Sequence, residues 1–227
     1  MFRNDRLSVL GLAILTLVAC RSPHPPAQTL TGYQTIRFNQ VAVMPFLAGQ
    51  ESSGADAQLV HPLDCTMAQF CEAVNELSGR AEEILTFEMQ TALERRLDYR
   101  VVPQARASRA FDEMPLDRSK DTPRIIAQRF GKATGADHVI LGKVWRFRER
   151  EGDQGQGASV GFAVFLVQVD NGRRVWRGRF DRSQSTLLED LREAPIFFKK
   201  GGRWLSAQEL SRFGVEQVLR SFPEVAE

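Results

Sequence analysis

The stretch ADHVILGKVWRFRERE, residues 136–151, decides the fold, because its hydrophobic pattern changes halfway along. Its first half is mostly apolar, which is typical of a strand covered on both faces. In its second half Trp145 and Phe147 alternate with arginines, as in a strand with one solvated face. The stretch predicts one long strand that runs from the covered centre of a sheet into a one-sided region.

Strands and helices alternate before this stretch. VAVMPFLA, residues 41–48, is a nearly continuous apolar run and predicts the first strand. YRVVPQ, residues 99–104, predicts a short second strand closed by Pro103, which lacks a backbone donor. Amphipathic helices are predicted over 78–97 and 122–134. This order predicts two right-handed parallel crossovers in one sheet.

Local signals mark the ends of these helices. Ser78 is the predicted N-cap of the first helix, because its hydroxyl can accept from an unpaired backbone amide. Thr122 is the predicted N-cap of the second, and Pro123 occupies the first helical position, where a missing amide costs nothing. Gly135 ends that helix.

The chain after the long strand reads as an antiparallel meander. ASVGFAVFLVQVD, residues 158–170, predicts a returning strand. Asn171 and Gly172 follow, and both accept the positive φ of a two-residue type I′ turn. RRVWRGRF, residues 173–180, completes the meander. The predicted fold class is α/β: a mixed sheet with two parallel βαβ crossovers followed by an antiparallel meander, plus a C-terminal helix.

The C-terminal helix is predicted to begin after its N-cap, Ser206. Its apolar residues at helical spacing are Val215, Val218, Leu219 and Phe222. Leu210 and Phe213 lie on a second side, which either packs under the preceding arm or meets another subunit. Residues 41–185 are thus the predicted α/β domain, with a cysteine-containing insertion at 49–77, and residues 186–227 are the C-terminal arm and helix.

The N-terminal segment has the pattern of a secretory signal. Arg3 and Arg6 precede the apolar run VLGLAILTLVAC, residues 9–20, which is too short to cross about 30 Å of hydrocarbon. Leu17-Val18-Ala19-Cys20 resembles the bacterial lipoprotein signal, which implies cleavage after residue 19 and acylation of Cys20. The alternative is an ordinary secretory signal or a retained membrane anchor.

Residues 20–40 are predicted to form a lipidated, proline-rich tether, because prolines exclude this segment from a helix or sheet interior. Acyl chains on Cys20 would provide the only membrane attachment that this prediction requires. Arg21 stands where an aspartate often retains lipoproteins in the inner membrane. This resemblance implies the periplasmic face of the outer membrane, with the inner membrane as the alternative.

The net charge and the missing sequence motifs reduce the number of function classes that we expect for this chain. The formal net charge of +2 becomes +1 when residues 1–19 are removed with two arginines and one aspartate, so nucleic acid is not an expected partner. The chain lacks a Gly-x-Ser-x-Gly elbow, a His-Glu-x-x-His motif, a Walker loop and a dinucleotide-binding glycine motif. We therefore expect no catalytic residues, no cofactor and no metal site.

The order of these motifs resembles one superfamily of periplasmic lipoproteins over residues 41–183. The motifs are VAVMPF, a long helix, YRVVP, ATGADHVILGKV and DNGRRVWRGRF. The superfamily includes the curli secretion lipoprotein, lipoprotein activators of penicillin-binding proteins and the N-terminal domain of the Tol translocation protein. The resemblance implies a non-enzymatic adaptor or assembly factor that binds an envelope protein. The alternative is a homo-oligomer, as a ring-forming subunit of a secretion assembly.

Two cysteines remain after Cys20, and both lie in the insertion. Cys65 and Cys71 form an even pair in an oxidising compartment, which predicts a disulfide. The alternatives are two free thiols, or a metal site that would add His61 and Asp64 as ligands.

Five arginines of the meander form a candidate surface for an anionic partner. Arg146, Arg148 and Arg150 share one side of a strand by period-two alternation, and Arg177 and Arg179 share one side of another. If the two sides coincide, this patch is suited to a phosphorylated glycolipid or an acidic protein. The alternative is an ordinary solvated face that is balanced by nearby acidic residues.

Overall fold

A mixed sheet lies at the centre of the fold, with helices on both of its faces. The structure is a computed structural model that describes residues 36–37, 39–51, 62–72, 74, 77, 79–150, 157–184 and 205–224. The elements in chain order are β1 (Val41–Val43), β2 (Leu47–Ala48), α1 (Met67–Phe70), α2 (Ala81–Leu97), α3 (Gln104–Asp112), α4 (Pro123–Thr134), β3 (His138–Arg148), β4 (Ser159–Gln168), β5 (Arg174–Ser183) and α5 (Ala207–Leu219).

Several predicted segments lie outside the described residues. They are the signal peptide with Cys20, most of the tether, His61 and the arm up to residue 204. None of the helices in the described ranges combines the length and apolar character that a bilayer-spanning helix requires.

The long strand β3 organises the sheet, as predicted. β1 and β2 both pair with it in parallel, with Val41 opposite His138 and Leu47 opposite Lys143. β4 pairs with its other edge in antiparallel fashion, and β5 pairs with β4. The α/β fold class with a mixed sheet and an antiparallel meander is therefore confirmed.

The first predicted strand is interrupted in the structure. From Val43 to Leu47 the chain advances four residues while its partner strand advances three, so one extra residue separates β1 from β2. Pro45 lies in this interruption and has no amide to donate to a ladder. The amide of Phe46 instead donates to Oγ1 of Thr86 on α2 at 2.9 Å, which ties the interruption to the helix above it.

The second predicted strand is only a bridge. Val101 pairs with Val41 in parallel, and the amide of Val102 donates to the Val41 carbonyl at 2.8 Å, but no further ladder forms there. A 3₁₀ turn at Asp98–Arg100 precedes it. Pro103 ends the pairing and begins α3, a helix that the sequence did not predict. The first crossover thus returns to the sheet at a single residue.

Two buried clusters lie on opposite faces of the sheet. α2 and α5 cover the first, called here the α2 face, where the apolar stripe predicted for α2 is buried. α1, α3 and α4 cover the second, called here the α4 face. Strand residues of the α2 face include Ile140, Val160, Phe162, Val164, Trp176 and Phe180. Those of the α4 face include Val139, Leu141, Phe165 and Val167.

The predicted helix ends have mixed outcomes. Thr122 accepts from the Ile125 amide at the start of α4, and Gly135 ends that helix with a φ of 71°. Ser206 and Glu209 form a capping box on α5. The predicted cap of α2 is wrong, because that helix begins after Arg80, which has a φ of 68° and gives no side-chain cap.

The second side of α5 packs into the core. Leu210 is fully buried, and the Phe213 ring lies 6.1 Å from the Phe180 ring. α5 also meets α2 through an ion pair: Arg212 Nε and Nη2 donate to the Glu88 carboxylate at 3.0 and 3.1 Å. This side of α5 therefore packs against the core of its own chain, while the preceding arm lies outside the described residues.

Candidate functional site

The register of the meander brings the predicted arginines of two strands onto one face. Arg146 and Asp181 both lie opposite Gly161 of β4, on either side of it. Arg177 lies opposite Phe165, whose side chain belongs to the cluster on the α4 face. Because paired residues of an antiparallel sheet share a face, Arg146, Arg148, Arg177 and Arg179 all lie on the α4 face. Arg150 follows the end of β3.

A bulge in β3 makes this arrangement possible. Val144 lies opposite Phe162 and Arg146 opposite Gly161, so Trp145 is the extra residue. The Trp145 side chain lies against Gly161, where an added Cβ would come within 2.3 Å of the indole nitrogen. The Arg179 guanidinium lies 5.2 Å from the Trp145 ring centroid. The alternation read from the sequence therefore breaks at Trp145.

Part of this arginine face is neutralised by carboxylates. Arg146 Nη1 lies 2.6 Å from Asp181 Oδ1, and Arg179 Nη2 lies 3.0 Å from Asp181 Oδ2. Arg179 also forms an ion pair with Glu51. At these two arginines the solvated, balanced face is thus the better description.

In another part of the face, the β5 arginines have no carboxylate partner among the residues that the structure describes. Arg174 lies opposite Val167, and Trp176 lies opposite Leu166, so Val175 is a second extra residue. This bulge places Arg174 on the same face as Arg177, although their spacing of three would separate them in a regular strand. Sequence reasoning missed Arg174 for this reason.

Arg124 of α4 completes this group. Its Nε and Nη2 donate to the Asp64 carboxylate at 2.7 and 2.9 Å, and its Nη1 donates to the Gly172 carbonyl. The hydrogen bonds to Asp64 raise the pKa of Arg124. Burial lowers the pKa of Arg174, and the charges of Arg177 and Arg124 lower it further. The Arg174 guanidinium therefore lies close enough to those of Arg177 and Arg124 to be repelled by both.

The β4–β5 hairpin fixes this group against α4. The hairpin is where the sequence predicts it, but its loop runs over four residues, 169–172, because Gly172 N donates to Gln168 O and Gln168 N donates to Arg173 O. Of the turn residues only Gly172 has a positive φ, 67°, so the predicted two-residue type I′ turn is wrong. Gln128 of α4 also donates to the Val169 carbonyl at 3.0 Å.

The insertion forms a second chemically distinctive region on the α4 face. Lys143 of β3 is only 6% exposed, and its Nζ lies 4.6 Å from the Phe70 ring centroid. Burial lowers the pKa of Lys143 and raises the pKa of the Cys65 and Cys71 thiols. The nearby Lys143 ammonium offsets part of the increase at both thiols. Sequence reasoning missed Lys143, since it sits in an apolar run.

Cys65 and Cys71 are free thiols in the structure, so the predicted disulfide is not formed in it. The helical turn of α1 separates them, with Cys71 as its C-cap. The Cys65 thiol donates to the Pro62 carbonyl at 3.3 Å. Asp64, the other metal-ligand candidate that is described, is paired with Arg124.

Alkylation without reductant should therefore label both Cys65 and Cys71. Because the thiolate is the reacting species and both pKa values are raised, the rate should still rise about tenfold per unit between pH 7 and 9, whereas an ordinary thiol levels off near about pH 8.5. Mass spectrometry of iodoacetamide-treated protein measures this. Labelling only after reduction would contradict the free thiols and restore the disulfide.

Comparisons with known proteins bear on the fold. No protein-family model matches the chain, and no curated protein matches it. The PelC dodecamer from Paraburkholderia phytofirmans is 15% identical, covers 86% of this chain and 96% of its own, and has a TM-score of 0.48. The C-terminal domain of LpoB from Escherichia coli is 15% identical, covers 66% of this chain and 87% of its own, and has a TM-score of 0.37. Lipoprotein GNA1162 from Neisseria meningitidis is 17% identical, covers 72% of this chain and 97% of its own, and has a TM-score of 0.40.

All of these solved structures are under 25% identical to the chain and have TM-scores below 0.5. At these identities and TM-scores the likeness carries no argument about function.

Proposed function

We propose that this protein is a lipid-anchored periplasmic adaptor or assembly factor, which binds a component of a cell-envelope machine for cell-wall synthesis, secretion or transport. Its role is binding rather than catalysis. The observation that carries the proposal is the arginine face of the meander, to which β3 and β5 both contribute. Arginine is suited to such a surface because its fork of donors recognises carboxylate and phosphate groups.

The geometry of this face supports a binding surface with unused capacity. Among the described residues, the buried Arg148 Nε has no hydrogen-bond partner. A buried donor without a partner is costly. Arg146 is paired with Asp181, which holds its guanidinium in a defined orientation.

The anchor supports the envelope location. The lipoprotein-like signal ends at Cys20, and the proline-rich segment that follows it leads to β1 at Val41. Acylation of Cys20 would attach the domain to the periplasmic face of the outer membrane through acyl chains, each buried methylene contributing about 0.8 kcal/mol.

Cross-linking in intact cells tests this proposal. We expect the wild type in the outer-membrane fraction, cross-linked to an envelope protein that mass spectrometry identifies. Cys20→Ala should abolish acylation and membrane fractionation, because the only thiol that the signal presents is removed. Cys65→Ala is the matched control and should fractionate like the wild type. Arg146→Ser/Arg148→Ser should reduce recovery of the cross-linked partner by roughly tenfold, the usual scale for interface arginines.

Three outcomes would count against the proposal. Cys20→Ala protein that still fractionates with membranes would refute the lipid anchor. Unchanged recovery with Arg146→Ser/Arg148→Ser would remove the arginine face from the interface. Cross-links only between copies of this chain would favour the ring-forming subunit over the adaptor.

A further inference from the structure

Two arginines on the α4 face have no counterion among the described residues. Arg174 and Arg177, called here the arginine pair, lie on β5 beside the start of α4. Within the ranges that the structure describes, no carboxylate comes within 4.0 Å of either guanidinium. Arg124 is close to Arg174, but its charge is matched by Asp64. The arginine pair is therefore an uncompensated positive site.

Another arginine of the same strand, by contrast, has carboxylate partners. Arg179, two residues beyond Arg177, has ion pairs with Asp181 and Glu51. At the arginine pair, by contrast, each guanidinium faces another cation, and Arg174 is partly removed from water. Guanidinium groups stay charged at any physiological pH, so the repulsion cannot be relieved by losing a proton. A bound anion would relieve it.

Donor geometry favours a phosphate as that anion. The first amides of α4 are already used, since Arg124 N donates to Leu63 O and Ile125 N donates to Thr122 Oγ1. The donors that remain are the forked guanidinium groups, which form paired hydrogen bonds with phosphate oxygens. The positive end of the α4 dipole adds to the potential at the same place.

The arginine pair lies at the end of the sheet where the N-terminal segment enters. The amides of Asn39 and Gln40 donate to the Asp137 carboxylate at 2.8 and 3.0 Å, and the Asp137 carbonyl accepts from Val169 at the β4–β5 hairpin. From β1 to β5 is three strand spacings, roughly 14 Å. The predicted tether and the arginine pair thus share one end of the domain.

We propose that Arg174 and Arg177 bind the phosphate of an anionic lipid headgroup at the membrane surface to which the tether holds this end of the domain. This inference rests on the lipid anchor of the proposed function. The contact would orient the domain, with the hairpin toward the membrane and the Arg146 end of the meander away from it.

Thermal melting of the acylated protein in an uncharged detergent tests this inference. Two probes are titrated, dihexanoyl phosphatidylglycerol and inorganic phosphate, with dihexanoyl phosphatidylcholine as the uncharged-headgroup control. The wild type should be stabilised by phosphatidylglycerol and, at higher concentration, by phosphate. Arg174→Gln/Arg177→Gln should need roughly 30-fold more phosphatidylglycerol, since each basic side chain contributes about a fivefold factor at an anionic surface.

Matched controls separate this site from general charge. Arg95→Gln/Arg220→Gln removes two exposed arginines from α2 and the end of α5, and should respond like the wild type. Without any anion, Arg174→Gln/Arg177→Gln should melt at the wild-type temperature or above it, because repulsion is removed. A lower melting temperature would show that the pair is needed by the fold itself, and would overturn the binding site.

The remaining outcomes are also decisive. Stabilisation by inorganic phosphate without stabilisation by phosphatidylglycerol would overturn the lipid headgroup as the ligand. An equal response of wild type and Arg174→Gln/Arg177→Gln would overturn the site. The mass of the N-terminal peptide reports acylation of Cys20 separately, so an unacylated Cys20 would refute the proposed anchor while the titration still measures the arginine pair.

Discussion

Replacing Arg212 with alanine should lower the free energy of unfolding by about 3 kcal/mol, because it leaves a buried carboxylate without its cation. Glu88 on α2 is only 3% exposed, and Arg212 on α5 holds both of its oxygens. The Gln208 amide, 3.3 Å from Glu88 Oε1, is the one further side-chain donor to this carboxylate within the described residues. Urea-induced unfolding measures the loss.

A second substitution checks the cause. Adding Glu88→Gln to Arg212→Ala removes the unpaired charge and should recover more than half of the lost stability. Arg95→Ala is the matched control on the same pair of helices, because Arg95 and Glu216 form an exposed pair at 3.7 Å worth at most about 0.5 kcal/mol. Equal losses for Arg212→Ala and Arg95→Ala would contradict the buried-charge explanation.

Phe162→Ala should lower the free energy of unfolding by about 4 kcal/mol, by transfer of the lost ring and by the cavity it leaves. Phe162 is fully buried on the α2 face, between the rings of Phe46 and Phe180, whose centroids lie 6.1 and 5.7 Å away. These rings come from β4, from the interruption before β2 and from β5. The cavity would therefore open at the junction of three separate chain segments.

Phe87→Ala is the control for this prediction. Phe87 lies on α2 but is 49% exposed, so the same change of side chain should cost no more than about 0.5 kcal/mol. Chemical denaturation of both variants measures the difference. A loss below 1.5 kcal/mol at Phe162 would show that the α2 face collapses around the missing ring.

Strands and helix ends that are decided by residues close together in the chain could be predicted from the sequence. The apolar run of β3, the Thr122 cap with Pro123, the Gly135 stop and the Ser206 cap all act within one or two turns of chain. The exception is Ser78, which was predicted to cap α2, although the helix begins two residues later and after a left-handed Arg80. A residue that is suited to cap a helix does not by itself decide where the helix begins, because tertiary packing also acts on that position.

Errors in the strands have two causes. The segment at 99–104 has strand-like residues, but only Val101 finds a partner because Pro103 ends the pairing. Two bulges, at Trp145 and Val175, reverse the alternation along β3 and β5. A period-two pattern carries no sign of either bulge, because each is decided by the register with β4.

By itself, the sequence determined the α/β class, the order of α2, α4, the three meander strands and α5, the lipoprotein-like signal and the arginine-rich meander, since each is a property of neighbouring residues. Only the tertiary structure decided which charges are compensated. Arg179 meets Glu51 across 128 positions and Arg124 meets Asp64 across 60, while Arg174 and Arg177 meet no carboxylate in the described ranges. Ion pairs of this kind depend on distances between remote segments, and those distances exist only once the sheet has its register and its helices.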